Sequence, residues 1–230
     1  MTPEAVAALS SGGLDSCVCL ALLARSHESV HPVYIRCGLV WEDAERAFLK
    51  RFLATVGDPR IKDVKELSLP MDEVYGGAWY SSGIHIPGYR DPDEAWEIPG
   101  RNILLLAKTA VWASLHSVNR IALGTLSGNP FPDATPEFFE GMQTALSRGL
   151  AAPLEILRPL AGMKKPEVIR MGSSLPLEFT LSCARPEKGL HCGTCGKCRE
   201  RIEAFAESGV PDSTPYASRV DLPGLADDRP

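Results

Sequence analysis

The chain has 230 residues, 44% of them hydrophobic and 23% charged, enough to bury one substantial core. Its 24 Lys and Arg against 29 Asp and Glu leave a net charge of −5, which argues against a broad basic surface for nucleic acid. No run approaches the roughly 18 consecutive apolar residues of a membrane-spanning helix, and residues 1–8 lack the cationic stretch that opens a secretory leader, so a cytoplasmic protein is expected.

Residues 5–9 (AVAAL) read as a buried strand. A turn at Ser10-Ser11-Gly12-Gly13 follows, and Asp15-Ser16 with the apolar run 17–23 reads as a helix. Residues 31–36 (HPVYIR) fit a second strand, and 42–56 a helix with Ala44, Phe48, Phe52 and Val56 on one face. Residues 63–69 read as a third strand. Residues 70–99 are rich in Gly, Pro, Tyr and Trp without a clear period and read as loop with short helical turns. A long apolar helix is expected over 102–116, a strand over 120–124 and a Pro/Gly loop over 127–136. A helix over 137–146, a strand over 153–157 and a short helix over 165–171 follow, the last with Pro166 in its first turn. Strands alternating with helices predict a parallel α/β sheet covered on both faces, spanning residues 1–180, with ligands at the carboxyl ends of its strands. From Cys183 the composition shifts to Gly, Cys, Lys and Arg, which predicts a small lobe over 181–217. Residues 218–230 read as a disordered tail.

Two segments carry chemistry. The first is Ser11-Gly12-Gly13-Leu14-Asp15-Ser16, a glycine turn between strand and helix. Glycines let backbone N–H groups approach an anion, and the helix N-terminus adds partial positive charge. Ser11 and Ser16 add hydroxyl donors. Asp15 beside a phosphate makes sense as a helix cap or as a magnesium ligand. The segment is neither a Walker A loop nor a GxGxxG turn.

The second is Cys183-x8-Cys192-x2-Cys195-x2-Cys198, four soft ligands with Gly193 and Gly196 allowing tight turns between them. Four thiolates satisfy tetrahedral Zn²⁺ with no open position, a structural site, and an iron–sulfur cluster uses the same ligand set. The odd total of seven cysteines argues against a disulfide framework. Cys17, Cys19 and Cys37 are spaced as buried packing residues.

SGGLDS resembles the PP-loop of the N-type ATP pyrophosphatases, which include GMP, NAD and asparagine synthetases and several tRNA-modifying enzymes. Together with the late cysteine cluster it resembles the 7-cyano-7-deazaguanine synthase (QueC/ExsB) family. Ile98-Pro99-Gly100-Arg101-Asn102 is similar to that family's VPGRN segment. Ser127-Gly128, Pro132-Asp133 and Pro136-Glu137-Phe138 are similar to its SGYPDxxPEF region. Residues 165–170 resemble its KxEIIR helix, Thr180-Leu181-Ser182-Cys183 its entry to the zinc loop, and residues 205–216 its closing segment. The chain departs from the pattern at Cys37-Gly38-Leu39-Val40-Trp41-Glu42, at Ala134-Thr135, and by two extra residues, Pro130 and Phe131.

The resemblance implies a Rossmann-like (HUP) fold with a zinc lobe, and a homodimeric ligase using ATP, Mg²⁺ and Zn²⁺. It would convert 7-carboxy-7-deazaguanine and ammonia to the nitrile preQ0, cleaving ATP to AMP and pyrophosphate. Ser11, Gly12, Gly13, Leu14, Asp15 and Ser16 would hold the nucleotide. Asp15, Ser16, Arg101 and Lys165 would act in catalysis, Arg101 on the α-phosphate and Lys165 or Lys164 on a phosphate. Asp133 and Arg101 would meet the substrate, and Cys183, Cys192, Cys195 and Cys198 would bind the metal. Plainer roles stand beside these: a capping Arg101, a solvated Lys165, a turn-forming Asp133, and Trp41, Trp79, Trp96 and Tyr89 in packing rather than stacking on a base. Competing functions are a relative acting on a deazapurine for DNA modification or on a protein carboxylate, a tRNA-modifying PP-loop enzyme, and a non-catalytic module binding RNA or protein through the zinc lobe.

Overall fold

The computed structural model describes residues 4–218. The expected tail therefore lies outside the described residues, apart from Ser218. Five parallel strands form one sheet in the order β3-β2-β1-β4-β5: β1 (Ala5–Leu9), β2 (Ser29–Arg36), β3 (Lys65–Ser68), β4 (Arg120–Ala122) and β5 (Glu155–Leu157). Between them run α1 (Leu14–Ser26), α2 (Glu42–Val56), α3 (Asp72–Tyr75), α4 (Trp79–Ser82), α5 (Arg101–Leu115) and α6 (Pro136–Gly149). After β5 come α7 (Lys165–Met171) and α8 (Gly196–Ser208). Single 3₁₀ turns cover Asp93–Trp96, Pro132–Ala134 and Leu177–Phe179.

The strand order places the reversal of direction between β1 and β4, the point where open α/β sheets bind ligands. The five-residue β1 is sequestered by helices on both sides, which is why it reads as a continuous apolar run. Its period of two still divides the core. Val6 and Ala8 pack with Leu14, Val18 and Ile169 on one face, and Ala7 packs with Leu106, Ala110 and Phe139 on the other. Cys17, Cys19 and Cys37 are buried in these two clusters, where burial pushes all three thiols up, Cys19 to about 12.

The expected strands and helices are all present, three of them (β1, α2 and α7) with the same ends. The region 70–99 contains only short turns of helix, as its lack of period predicts. The helix expected at 137–146 starts one residue earlier, where Thr135 caps it with its hydroxyl accepting from the Phe138 N–H at 3.1 Å, and it runs on to Gly149. α8 is an element the sequence reading did not separate from the cysteine segment. Cys198, Arg201, Ile202 and Phe205 lie at helical spacing on its buried face, and Ala204 and Phe205 join the core beside α1 and α7. The cysteine segment is thereby seated against the sheet domain. Among the described residues no helix is long and apolar enough to cross a membrane.

Candidate active site

The loop leaving β1 is shaped by two glycines that are 112 residues apart in the chain. Gly12 has φ +77°, and a Cβ there would lie 2.6 Å from the Glu45 carbonyl oxygen, so only glycine lets the loop press against α2. Gly124, just past β4, lies against the first turn of α1. A Cβ there would be 2.9 Å from the Asp15 carbonyl oxygen. Within the loop the Gly13 N–H donates to Ser11 Oγ at 3.2 Å and Ser16 Oγ–H to the Gly13 carbonyl at 3.0 Å, closing a compact turn at the start of α1. Leu14 and Gly12 turn inward and are buried, while Ser11, Gly13, Asp15 and Ser16 face the cavity above the strand ends.

Two adjoining cavities of about 230 and about 440 Å³ share Asp15, Arg101, Asn102, Gly124 and Thr125 as a common wall. The smaller lies over the carboxyl ends of β1 and β2 and is closed by Tyr34, Ile35 and Glu45. The larger is bounded by Trp96, the 124–131 loop, Asp133, Lys164, Lys165, Lys197 and Glu200. Four residues lining this larger cavity each carry a buried polar atom with no hydrogen-bond partner among the described residues: Asp15 Oδ1, Arg101 Nε, Trp96 Nε1 and Thr125 Oγ1. Buried polar atoms usually find a partner, so their clustering on residues around one cavity makes it the candidate binding site.

Asp15, Arg101 and Lys165 come from α1, α5 and α7 and meet at this wall. Lys165 Nζ is 3.0 Å from Asp15 Oδ2 and 2.7 Å from Glu200 Oε1, and Lys197 Nζ is 3.2 Å from Glu200 Oε2. Desolvation pushes the Asp15 carboxyl above the usual aspartate range, against the pull of the Lys165 ammonium. Burial works against the charge on Lys165, but Asp15 and Glu200 more than offset it and its pKa rises. Lys164 also lines the cavity.

Asp133 is engaged in the wall. Its carboxylate accepts the Asn102 backbone N–H at 2.8 Å, and the Asn102 amide donates to the Asp133 carbonyl at 2.9 Å, which fixes the first turn of α5 and so the base of Arg101. The segment that departs from the family pattern is structural as well. Glu42 accepts from the backbone N–H groups of Cys37 and Gly38. Trp41 stacks on Trp79, and Trp79 meets Trp96 edge-on at 5.2 Å. Of these tryptophans, Trp96 reaches the cavity. Phe131, one of the two extra residues, lines it too.

Sequence reasoning passed over Glu45, Tyr34, Gly124, Thr125, Lys197 and Glu200. Glu45 is buried at the end of the smaller cavity, where it accepts the Tyr34 hydroxyl at 2.7 Å. Burial drives its carboxyl up from 4.5 to about 7, with Arg101 and the tyrosine hydrogen bond pulling the other way.

The four late cysteines converge. Their sulfurs all lie within 4.8 Å of one another, and Cys192 and Cys198 are 3.9 Å apart. Metal–sulfur bonds of about 2.3 Å in a tetrahedron give sulfur–sulfur edges near 3.8 Å, so the four fit a single ion. Backbone N–H groups of Arg185, Cys192 and Gly193 point at the sulfurs of Cys183 and Cys198 at 3.3–3.4 Å. The set is joined to the glycine loop and its cavity at two places. The Leu181 N–H donates to the Gly12 carbonyl at 2.8 Å, and α8, capped by Cys195, carries Lys197 and Glu200 to the cavity.

Comparison with known proteins agrees with this geometry. A family model described as queuosine biosynthesis protein QueC matches residues 4–209. The chain is 31% identical over 233 residues to the 7-cyano-7-deazaguanine synthase of Koribacter versatilis, covering 95% of each chain. It is 32% identical over 226 residues to the protein of that name from Anaeromyxobacter sp., covering 92% of this chain and 95% of the other. Among solved structures, a predicted subunit of tRNA methyltransferase from Methanocaldococcus jannaschii superimposes with a TM-score of 0.50 at 17% identity, over 74% of each chain, a likeness of fold. The glycine loop at the sheet's switch point, the four converging cysteines behind it and a match along nearly the whole chain lead to one conclusion: this chain belongs to the QueC family.

Proposed function

We propose that the protein is an ATP-dependent carbon–nitrogen ligase that converts 7-carboxy-7-deazaguanine and ammonia to 7-cyano-7-deazaguanine. The observation that carries this reading is the convergence of Asp15, Arg101, Lys165 and the Ser11–Ser16 turn on paired cavities, in a chain whose relatives bear that enzyme's name. In the reaction a substrate carboxylate oxygen attacks the α-phosphorus of ATP and pyrophosphate leaves. Ammonia then attacks the acyl carbon and AMP leaves, giving the amide. A second adenylation, on the amide oxygen, turns that oxygen into a leaving group. Loss of AMP and two protons gives the nitrile.

The loop suits the leaving pyrophosphate through its remaining N–H groups and the Ser11 hydroxyl, with Ser16 turning its hydroxyl from the Gly13 carbonyl to join them. Arg101, with its unpartnered Nε, suits the α-phosphate. Lys165 neutralises charge at the junction of the two cavities. The unpartnered Asp15 Oδ1 fits the oxygen preference of Mg²⁺, which when bound offsets charge on the departing phosphates. The larger cavity, with Phe131 and Trp96 at its wall, has room for a flat heterocyclic acid. The four cysteines would hold structural zinc. Seven free cysteines suit a reducing cytoplasm, and a homodimer would cover the exposed apolar row Ile103, Val111 and Leu115 on α5.

Mass spectrometry of the products from 7-carboxy-7-deazaguanine, ammonium and MgATP tests the reading. AMP, pyrophosphate and the nitrile are expected, and Asp15→Asn is expected to abolish turnover while the melting temperature holds. ADP as product would overturn the reading. AMP formed only with another acceptor would overturn the substrate and keep the nucleotide half.

A further inference from the structure

The ammonium of Lys165 does not rest on one partner. It is shared between Asp15, which belongs to the nucleotide loop, and Glu200, which belongs to the cysteine-bearing helix α8. The two carboxylates are not equivalent. Glu200 is nearer, 2.7 against 3.0 Å, and both its oxygens are occupied, one by Lys165 and one by Lys197. Asp15 offers Lys165 one oxygen and leaves the other buried without a partner. Lys197 is fixed in turn: its ammonium lies 5.5 Å from the centre of the Trp96 ring, and that ring packs so closely on Gly196 that a Cβ there would be 2.8 Å away. All four charged groups line the larger cavity, and two carboxylates against two ammoniums sum to zero.

This balance has to change when a polyphosphate enters. Phosphate oxygens compete for the Lys165 ammonium, and Asp15 beside them is repelled unless a cation joins it. A lysine paired to Asp15 alone would have to break its one strong contact to serve the phosphate, and Asp15 would stay masked from the cation until it did. A second carboxylate on the far side removes that conflict. We infer that Glu200 is a positioning residue: it anchors the Lys165 ammonium from α8, so that the lysine can turn from Asp15 to the phosphates while Asp15 is released to face the magnesium ion. Lys197 neutralises the outer edge of Glu200 and keeps that carboxylate from repelling the nucleotide. The tetrathiolate segment then does more than brace the fold, because the helix it caps carries the anchor.

The inference rests on the ATP-cleaving reading above, and the test separates the two. MgATP binding is measured by titration calorimetry and turnover by release of pyrophosphate, for the native protein and for Glu200→Gln and Glu200→Asp. Glu200→Gln keeps size and hydrogen bonding but leaves Lys165 to Asp15. Its Kd and KM for MgATP are expected to rise up to about fivefold, the scale of one charge contact at a partly exposed site, and half-maximal rate should need more magnesium. Glu200→Asp keeps the charge and is expected to recover most of the affinity. Cysteine-bound metal and melting temperature should match the native protein in both. Unchanged Kd and magnesium dependence in Glu200→Gln would overturn the inference. So would a loss of bound metal or of melting temperature that tracks the loss of affinity, since that is the mark of a purely structural residue. A native protein that neither binds nor cleaves MgATP would overturn the functional reading and this inference together. Native cleavage with an indifferent Glu200→Gln would overturn the inference alone.

Discussion

At Glu45 a carboxyl sits at the closed end of the smaller cavity, hydrogen-bonded to Tyr34 and facing Arg101 through space. Its pKa is raised from 4.5 to about 7 because burial penalises the ion more than Arg101 rewards it. The folded state therefore holds a proton that the unfolded chain has released. Stability from this group is complete below pH 4.5 and is lost as pH rises through about 7. Glu45→Gln keeps the acceptor for Tyr34 and cannot ionise. Its stability relative to the native protein is expected to increase between about pH 5 and about pH 8, by up to roughly 3 kcal/mol. Thermal melts of both proteins across that range check the sign; a difference that shrinks with pH would contradict it. Nothing local in the sequence marks Glu45. It is one of several acids at the start of α2, and only the approach of Gly12 to its backbone brings it to the nucleotide loop. Glu200 was hidden for the same reason: residues 15, 165 and 200 meet through tertiary packing alone. Ser11–Ser16 was legible because its chemistry is local, a glycine turn leading directly into a helix.

Elements were legible where period and punctuation agree. α2 shows an apolar face ending at Gly57, whose φ of +59° stops the helix, and α7 opens with Pro166 and a Glu167 carboxylate that accepts the Lys164 N–H at 2.7 Å. α8 was not legible because its first turn is also metal-binding sequence, so Gly196 and Cys198 read as loop. Yet Cys198, Arg201, Ile202 and Phe205 keep helical spacing, and that stripe was the available signal. Arg201 shows what the helix is fastened to. Its guanidinium is buried, donating to the Thr180, Ser182 and Thr214 hydroxyls and to the Leu177 carbonyl at 2.7–3.2 Å. The four-cysteine cluster, α8 and the loop contact at Leu181 thus form one unit. Stripping the metal with a chelator is expected to lower the melting temperature by about 10 °C or more and to weaken MgATP binding as well. Elemental analysis beforehand is expected to show one zinc per chain; iron would replace zinc in the assignment, and a chelated protein with native MgATP affinity would uncouple the two sites.

On the scale of the whole molecule, a parallel sheet was implied by the alternation of strands and helices, while its strand order and outer surface were not. The row Ile103, Val111 and Leu115 along α5 is 46–78% exposed, and it belongs to a helix whose other faces fill the core. Helical sequence alone cannot tell such a row from a buried one, since α5 is apolar nearly all round. Sedimentation equilibrium is expected to give twice the chain mass, and Leu115→Glu to shift it toward the monomer; a native monomer would remove the dimer from the reading. The bond between the Leu181 N–H and the Gly12 carbonyl has a consequence in time. The glycine loop leaves the ribosome well before its clamps at residues 165, 181 and 200. A nascent chain halted near residue 160 would own the motif without the means to close it. Under the proposed function, nucleotide capture is therefore expected only of a chain synthesised through residue 200.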